Sequence, residues 1–168
     1  MKRIALIAAF ALCATATFAA ENPMADMVVK HWKASQGLTI AVAEAMPDKD
    51  YGFKPNPEEM SFGEQMIHIG LANASYVARA AGEKSPFTKP EKSDKATAMK
   101  VLNDTYEYCL GKISTMSTEA MHKVSGPEGR QMSGFEAIWG GFTHTAHHRG
   151  QAEVYLRLKN IKPPTYVF

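Results

Sequence analysis

The sequence has few cysteines, almost no net charge and no long apolar run after its first twenty residues. Two of the 168 residues are cysteines. We expect Cys13 to be removed with the N-terminal segment, and Cys109 alone cannot form an internal disulfide. The 19 basic and 17 acidic residues nearly balance, so nucleic-acid binding is not indicated. Without an apolar run of about 18 residues, the rest of the chain is not expected to span a membrane.

The N-terminal segment has the pattern of a cleavable secretory signal. Lys2 and Arg3 precede an apolar run over residues 4–12, and small residues follow. Cleavage is expected after Ala19 or Ala20. The chain is therefore expected to be exported.

Two segments follow from this pattern, a signal peptide at residues 1–20 and one bundle domain at residues 21–168. Removal of Lys2 and Arg3 leaves 17 basic and 17 acidic residues. We predict a nearly neutral mature protein, periplasmic or secreted, with no membrane anchor after cleavage.

The mature chain contains four segments that are predicted to be long helices, at residues 22–45, 61–81, 93–116 and 133–160. Two of them open with a capping box, in which a serine precedes a glutamate by three residues: Ser61 with Glu64, and Ser133 with Glu136. No run alternates apolar and polar residues as a strand would, and residues 117–132 are predicted to be irregular. The predicted fold is an all-α four-helix bundle.

Three histidines lie within five residues of the last predicted helix. His144 and His148 are four residues apart, so their rings lie one above the other and can bind one ion. A heptad count places both on one stripe and His147 on another face. The stripe consists of Ala137, Gly141, His144, His148, Gln151, Tyr155 and Leu158. Because buried imidazoles need partners, the stripe predicts either a metal site or hydrogen-bonded core histidines.

A metal site also needs a ligand from another helix. His68 on the second predicted helix is the best candidate, and His31 on the first is the reserve. Glu64 lies one turn before His68 and can orient that ring, bind the metal or only cap the helix. Cys109 lies on an apolar stripe and is expected to be an inert core thiol.

Four stretches of the chain resemble the DinB-like superfamily of helical-bundle metalloproteins, which includes the YfiT-like enzymes and the bacterial thiol transferases. They are Met46-Pro47 through Phe53-Lys54-Pro55, residues 61–75, His144-Thr145-Ala146-His147-His148-Arg149-Gly150-Gln151, and Tyr155-Leu156-Arg157 with Ile161-Lys162-Pro163-Pro164. The resemblance implies a DinB/YfiT-like four-helix bundle in which His68, His144 and His148 bind a divalent ion. It also implies a homodimer, for which a second apolar stripe could serve unless it belongs to the core: Ile138, Phe142 and Leu156.

Three neutral ligands leave an ion its full charge and an open position. The first hypothesis is a metal-dependent enzyme, a hydrolase or a thiol S-transferase, in which Gln151 or Glu64 orients water or a small-molecule substrate. The alternative is a non-catalytic module that binds metal or a small ligand in the cell envelope, and a third is a structural bundle without metal. Zinc, nickel, iron and copper all suit imidazole. The superfamily's thiol transferases act in the cytoplasm, which argues against that activity in an exported protein.

Overall fold

A computed structural model describes residues 22–166 as a mostly helical bundle, and the predicted signal peptide lies outside these residues. The helices in chain order are α1 (Pro23–Ala45), α2 (Phe62–Ala80), α3 (Lys95–Ser114), α4 (Thr118–His122) and α5 (Gly134–Leu158). The four long helices agree with the predicted segments to within two residues at each end. None of the helices in this part of the chain is both long and apolar enough to cross a bilayer.

The capping boxes predicted for α2 and α5 are both present. The amide of Ser61 donates to the Glu64 carboxylate at 2.7 Å, and the amide of Glu64 donates to Ser61 Oγ at 3.2 Å. The pair Ser133 and Glu136 makes the same two bonds at 2.6 and 3.2 Å. Because each box fixes the first turn, it also fixes the register of the histidines that follow on these two helices.

The connection over residues 117–132 is more regular than predicted. It contains α4 and a pair of two-residue antiparallel strands, β1 (Val124–Ser125) and β2 (Met132–Ser133). Gly126 and Gly129 adopt positive φ angles of 118° and 76° in the turn between the strands, which glycine tolerates best. Strands of two residues are too short to show an alternating pattern, so they cannot be predicted from periodicity.

The long helices form a closed ring in which α1 and α2 each pack against α3 and α5. Contacts between side chains fix their directions: Gln65 lies opposite Gln151 and Asn73 opposite Thr145, so α2 and α5 are antiparallel. The approach of Trp32 to Gly141 and the contact of Ser35 with Arg149 make α1 parallel to α5. The contacts of Asn22 with Met116 and of Thr39 with Tyr106 make α1 antiparallel to α3. The histidine-bearing faces of α2 and α5 are therefore adjacent.

The stripe predicted on α5 is partly wrong. Ala137, Gly141 and Tyr155 are buried, but Leu158 is 55% exposed. The core is reached instead by a stripe rotated around the helix: Ile138, Gly141, Thr145, Arg149, Ala152 and Leu156. A straight helix drifts by about 20° per heptad relative to a strict seven-residue repeat, so a heptad count loses the face over three heptads. The histidines consequently lie at the rim of the core.

The apolar stripe predicted for dimer contacts and the Cys109 thiol both lie largely in the core. Ile138 and Leu156 are buried inside the chain and Phe142 is half-buried, so the stripe named for dimer contacts belongs largely to the core. A homodimer itself stays a prediction. Cys109 is fully buried, and burial raises the pKa of its thiol, which agrees with an inert core residue.

The start of α2 packs tightly against the backbone before α3. A Cβ atom added at Gly63 would lie 1.8 Å from the carbonyl oxygen of Ser93, whereas one added at Gly37 of α1 would meet nothing within 4 Å. We expect Gly63→Ala to lower the free energy of unfolding by about 3 kcal/mol, because backbone has to move. Gly37→Ala should raise it by about 1 kcal/mol through helix propensity.

Urea unfolding followed by circular dichroism measures both changes. Equal effects of the two substitutions would show that α2 does not approach Ser93 this closely.

Candidate metal centre

The bundle brings His68 of α2 together with His144 and His148 of α5. The ring centroid of His68 lies 4.8 Å from that of His144 and 4.4 Å from that of His148, and the two rings on α5 are 4.4 Å apart. One nitrogen from each ring lies within 4.8 Å of the others. The three residues named from the sequence therefore share one point between the two helices.

The Nε2 atoms of His68 and His144 face each other. His68 Nε2 lies 3.1 Å from His144 Nε2, and His148 directs its Nδ1 to Gln65 Oε1 at 2.8 Å, which leaves its own Nε2 for the cluster. Ligand nitrogens around a tetrahedral zinc ion at about 2.0 Å are about 3.3 Å apart. The first pair already has this spacing, and the widest pair would close by about 1.5 Å.

Partial burial keeps these imidazoles neutral. Burial first, and then the proximity of His144, His68 and His147, lowers the pKa of His148 to about 4. Burial likewise lowers the pKa of His68 and of His144, with Lys89 contributing at His68. Neutral imidazole is the form that binds metal, and a set of three imidazole donors suits zinc, nickel, iron or copper. The cluster could therefore hold a divalent transition-metal ion.

One feature departs from a fully supported ligand set. His144 Nδ1 is buried and has no hydrogen-bond partner among residues 22–166. A histidine that binds metal through Nε2 carries a proton on Nδ1, which usually donates to an oxygen. His148 has such an acceptor in Gln65, and His144 does not.

The two candidates for orienting water or substrate lie outside the cluster. Glu64 accepts the Ser61 amide and lies 3.6 Å from Lys54 Nζ, so of its three predicted roles the structure shows capping. Gln151 Oε1 accepts from Gln65 Nε2 at 3.2 Å, and its own Nε2 lies 3.3 Å from His147 Nε2. Gln151 reaches the cluster through Gln65 and also through a side-chain interaction with His148, which partly offsets the lowering of that ring's pKa by burial.

Two other histidines are not part of the cluster, although the ring centroid of His147 lies 4.9 Å from that of His148. His147 is exposed, as expected from its position off the predicted stripe. His31 lines an apolar groove between α1 and α5 with Trp32, Trp139 and neighbouring side chains, and it is not part of the cluster. The reserve ligand is thus not brought to the site.

Sequence reasoning missed two residues near the site. Gln65 is 1% exposed and contacts a ligand ring; its position three residues before His68, on the same helical face, was the available signal. Arg149 is 7% exposed and donates to Ser35 Oγ at 3.2 Å and Thr39 Oγ1 at 3.4 Å. No sequence signal marked it, because arginines are rarely buried.

A comparison with family models places this chain. The model of the DinB superfamily matches residues 31–152. The chain belongs to the DinB superfamily. The resemblance drawn from the histidine stretch is thereby confirmed, as is the mostly helical bundle.

Several DinB-like proteins are similar to this chain. It is 26% identical over 138 residues to the uncharacterized protein YjoA of Bacillus subtilis (strain 168). The aligned region covers 79% of this chain and 88% of YjoA. The crystal structure of DinB-like YjoA has a TM-score of 0.71 at 22% identity over 83% of this chain and 96% of that chain. A DinB-like protein of Bacillus cereus gives 0.72 at 18% identity over 85% and 97%. At these identities the two structures show the shared fold.

The lowered histidine pKa values predict that acid destabilises the metal-free protein. In the unfolded chain these histidines titrate near 6.5, whereas His148 in the folded chain stays neutral down to about 4. As the pH falls from about 6.5, the unfolded chain binds protons that the folded chain does not. Stability is therefore fully present above pH 6.5 and is lost below it.

Thermal unfolding in a chelator between pH 7.5 and 5 measures this loss. The slope of the unfolding temperature against pH should shrink in His148→Gln. It should persist in His122→Ala, which removes an exposed histidine of α4. An unchanged slope in His148→Gln would contradict the assignment.

Proposed function

We propose that this DinB-superfamily protein is an exported metal-dependent enzyme of the thiol S-transferase type. His68, His144 and His148 would hold one divalent transition-metal ion, and a substrate thiol would take the open position. The observation that carries the proposal is the convergence of three half-buried neutral imidazoles without a carboxylate in the cluster. Among the residues described, this is the grouping best suited to a metal ion.

The surroundings favour thiol transfer over hydrolysis. Water activation benefits from a general base within hydrogen-bonding reach, and the acidic candidate, Glu64, is held by Ser61 and Lys54. A thiol needs such a base less than water does, because a divalent cation deprotonates a coordinated thiol outright, whereas the water it binds keeps a pKa of about 7. In the transfer, a bond forms from the sulfur to the electrophile, the bond to the leaving group breaks, and the thiol proton ends on the leaving group.

The protein's own residues supply position and desolvation. Partial burial keeps the three rings unprotonated near neutral pH. An open groove of about 280 Å³ begins at Gln151 and is bordered by the loop that carries Pro55, Asn56 and Glu59. Gln151, at one edge of this groove, is linked to His148 through Gln65, but the three histidines of the cluster do not line the groove.

The same two observations also support the non-catalytic alternative. Glu64, the acidic residue considered for water or substrate orientation, is committed to a helix cap, and no thiolate or carboxylate joins the histidines in the described cluster. A protein that only bound a metal or a small ligand in the envelope would need nothing more. The two functions differ in whether a thiol reaches the ion.

Cobalt binding separates these functions. We expect the purified protein to bind about one equivalent of Co²⁺ with a tetrahedral visible spectrum, and His144→Ala to lose about 100-fold or more in affinity, since second-shell changes alone cost 10–100-fold. Addition of 2-mercaptoethanol should produce a near-ultraviolet sulfur-to-cobalt band, and ethanol should not.

His122→Ala is the matched control, because its ring lies on α4 and contacts the carbonyl of Thr118. Equal, negligible cobalt binding by wild type and His144→Ala would exclude a metal function. Cobalt binding without a thiol-dependent band would overturn the thiol S-transferase and agree with a non-catalytic binding module.

Export is proposed from residues 1–20 alone. An exported enzyme meets few low-molecular-weight thiols, so its substrate would be a thiol that is itself released into the envelope. We expect N-terminal sequencing of protein expressed in a bacterial host to begin at Ala20 or Glu21, and the product to appear outside the cytoplasm.

Leu6→Arg breaks the apolar run, so this variant should stay uncleaved in the cytoplasm. The control variant Leu156→Met in α5 should be cleaved and exported like wild type. An intact N-terminus on wild-type protein would disprove cleavage.

A further inference from the structure

Gln65 is a buried amide that contacts a candidate metal ligand and the network behind it. Only 1% of the residue's surface is exposed. Its Oε1 lies 2.8 Å from His148 Nδ1, and its Nε2 donates to Gln151 Oε1 at 3.2 Å and to Tyr155 Oη at 3.4 Å. Both polar ends of the amide are therefore used, by different partners.

A backbone carbonyl fixes the direction of these hydrogen bonds. Tyr155 Oη donates to the carbonyl oxygen of Met60 at 3.0 Å, and a carbonyl oxygen can only accept. The hydroxyl proton of Tyr155 is thereby committed, so its oxygen accepts from Gln65 Nε2. Gln65 Oε1 must therefore point toward His148. In the flipped amide, Oε1 would lie opposite the Tyr155 oxygen, and two acceptors would face each other without a proton between them.

The orientation of the amide determines which nitrogen of His148 carries the proton. Gln65 Oε1 can only accept, so a neutral His148 must be protonated at Nδ1. Its Nε2 is then unprotonated, which is the form required of a metal ligand, and its ring centroid lies 4.4 Å from those of both His68 and His144. The flipped amide would instead favour a proton on Nε2, which would block coordination.

We infer that Gln65, held by Tyr155 and the carbonyl of Met60, is a positioning residue that sets the metal-binding tautomer of His148. The inference rests on the proposed metal site and adds a residue outside the ligand set. It also explains why a buried amide lies beside the ligands. His144 Nδ1 has no such partner within the described part of the chain, so this control of the tautomer acts on His148.

The Co²⁺ affinity of variants tests how much Gln65 contributes to metal binding. We expect Gln65→Leu to weaken Co²⁺ binding by about 10–100-fold, in the range found for second-shell partners. Gln65→Glu keeps an acceptor for His148 Nδ1 and should restore affinity to within about tenfold of wild type. Tyr155→Phe removes the hydroxyl that constrains the amide direction but keeps Gln65, and should weaken binding less than Gln65→Leu. Tyr108→Phe, which removes a hydroxyl without a partner among residues 22–166, should leave affinity unchanged.

The tautomer itself gives a readout that a purely structural role would not move. Long-range ¹H–¹⁵N correlation spectra of metal-free wild type should show His148 protonated at Nδ1. Gln65→Leu should increase the fraction protonated at Nε2, and Tyr108→Phe should not.

A wild-type His148 protonated at Nε2 would overturn the inference, as would wild-type cobalt affinity in folded Gln65→Leu. If that variant does not fold, the wild-type tautomer and Tyr155→Phe still decide. Failure of wild type to bind cobalt would remove the proposed function, whereas the spectrum of the metal-free protein tests the tautomer independently.

Discussion

The close antiparallel approach of α2 to α5 is the constraint on which the site depends. Gly140 and Gly141 make it geometrically feasible, because Cβ atoms there would lie 3.0 and 3.1 Å from the side chain of Tyr76, tighter than ordinary packing contacts. Tyr76 lies two turns after His68 on α2, and the glycines lie one turn before His144 on α5. The small residues thus allow the helices to come near enough for rings from both to share a point. Their cost in helix propensity, about 1 kcal/mol each, is offset by this packing.

Without a metal, the three imidazoles are held in an unfavourable arrangement. Each loses hydration, each has a lowered pKa, and the Nε2 atoms of His68 and His144 are 3.1 Å apart, so one of them must donate to the other. A divalent cation would replace that contact with ligand bonds and needs no proton on any Nε2. Its binding free energy would therefore add to the stability of the fold, as with other metal sites absent from the unfolded chain.

Local signals predicted most of the fold and part of the site. The serine–glutamate pairs and the prolines located the long helices to within two residues, because caps act within one turn. The spacing of His144 and His148 likewise needs only helix geometry. The approach of His68 depends on which helices are neighbours, and periodicity does not specify that. The need for a third ligand already singles out His68, and the resemblance to a family adds support for it. Leu158 was misplaced because a seven-residue repeat drifts around a straight helix, and Gln65 was overlooked because its role appears only when Tyr155 and Met60 are beside it.

Adjacent residues on α5 hold the helix from two sides, and this gives a reason for burying a charge. His148 contacts Gln65 of α2, whereas Arg149, about 100° further around the helix, donates to hydroxyls of Ser35 and Thr39 on α1. No carboxylate pairs with Arg149 in the described part of the chain, so its burial contributes little to stability compared with an apolar side chain of similar size. Its guanidinium does restrict rotation of α5, since turning the helix would break bonds to α1 and to α2 together. A ligand ring must be held to within a fraction of an ångström, and anchoring its helix on two sides meets that requirement.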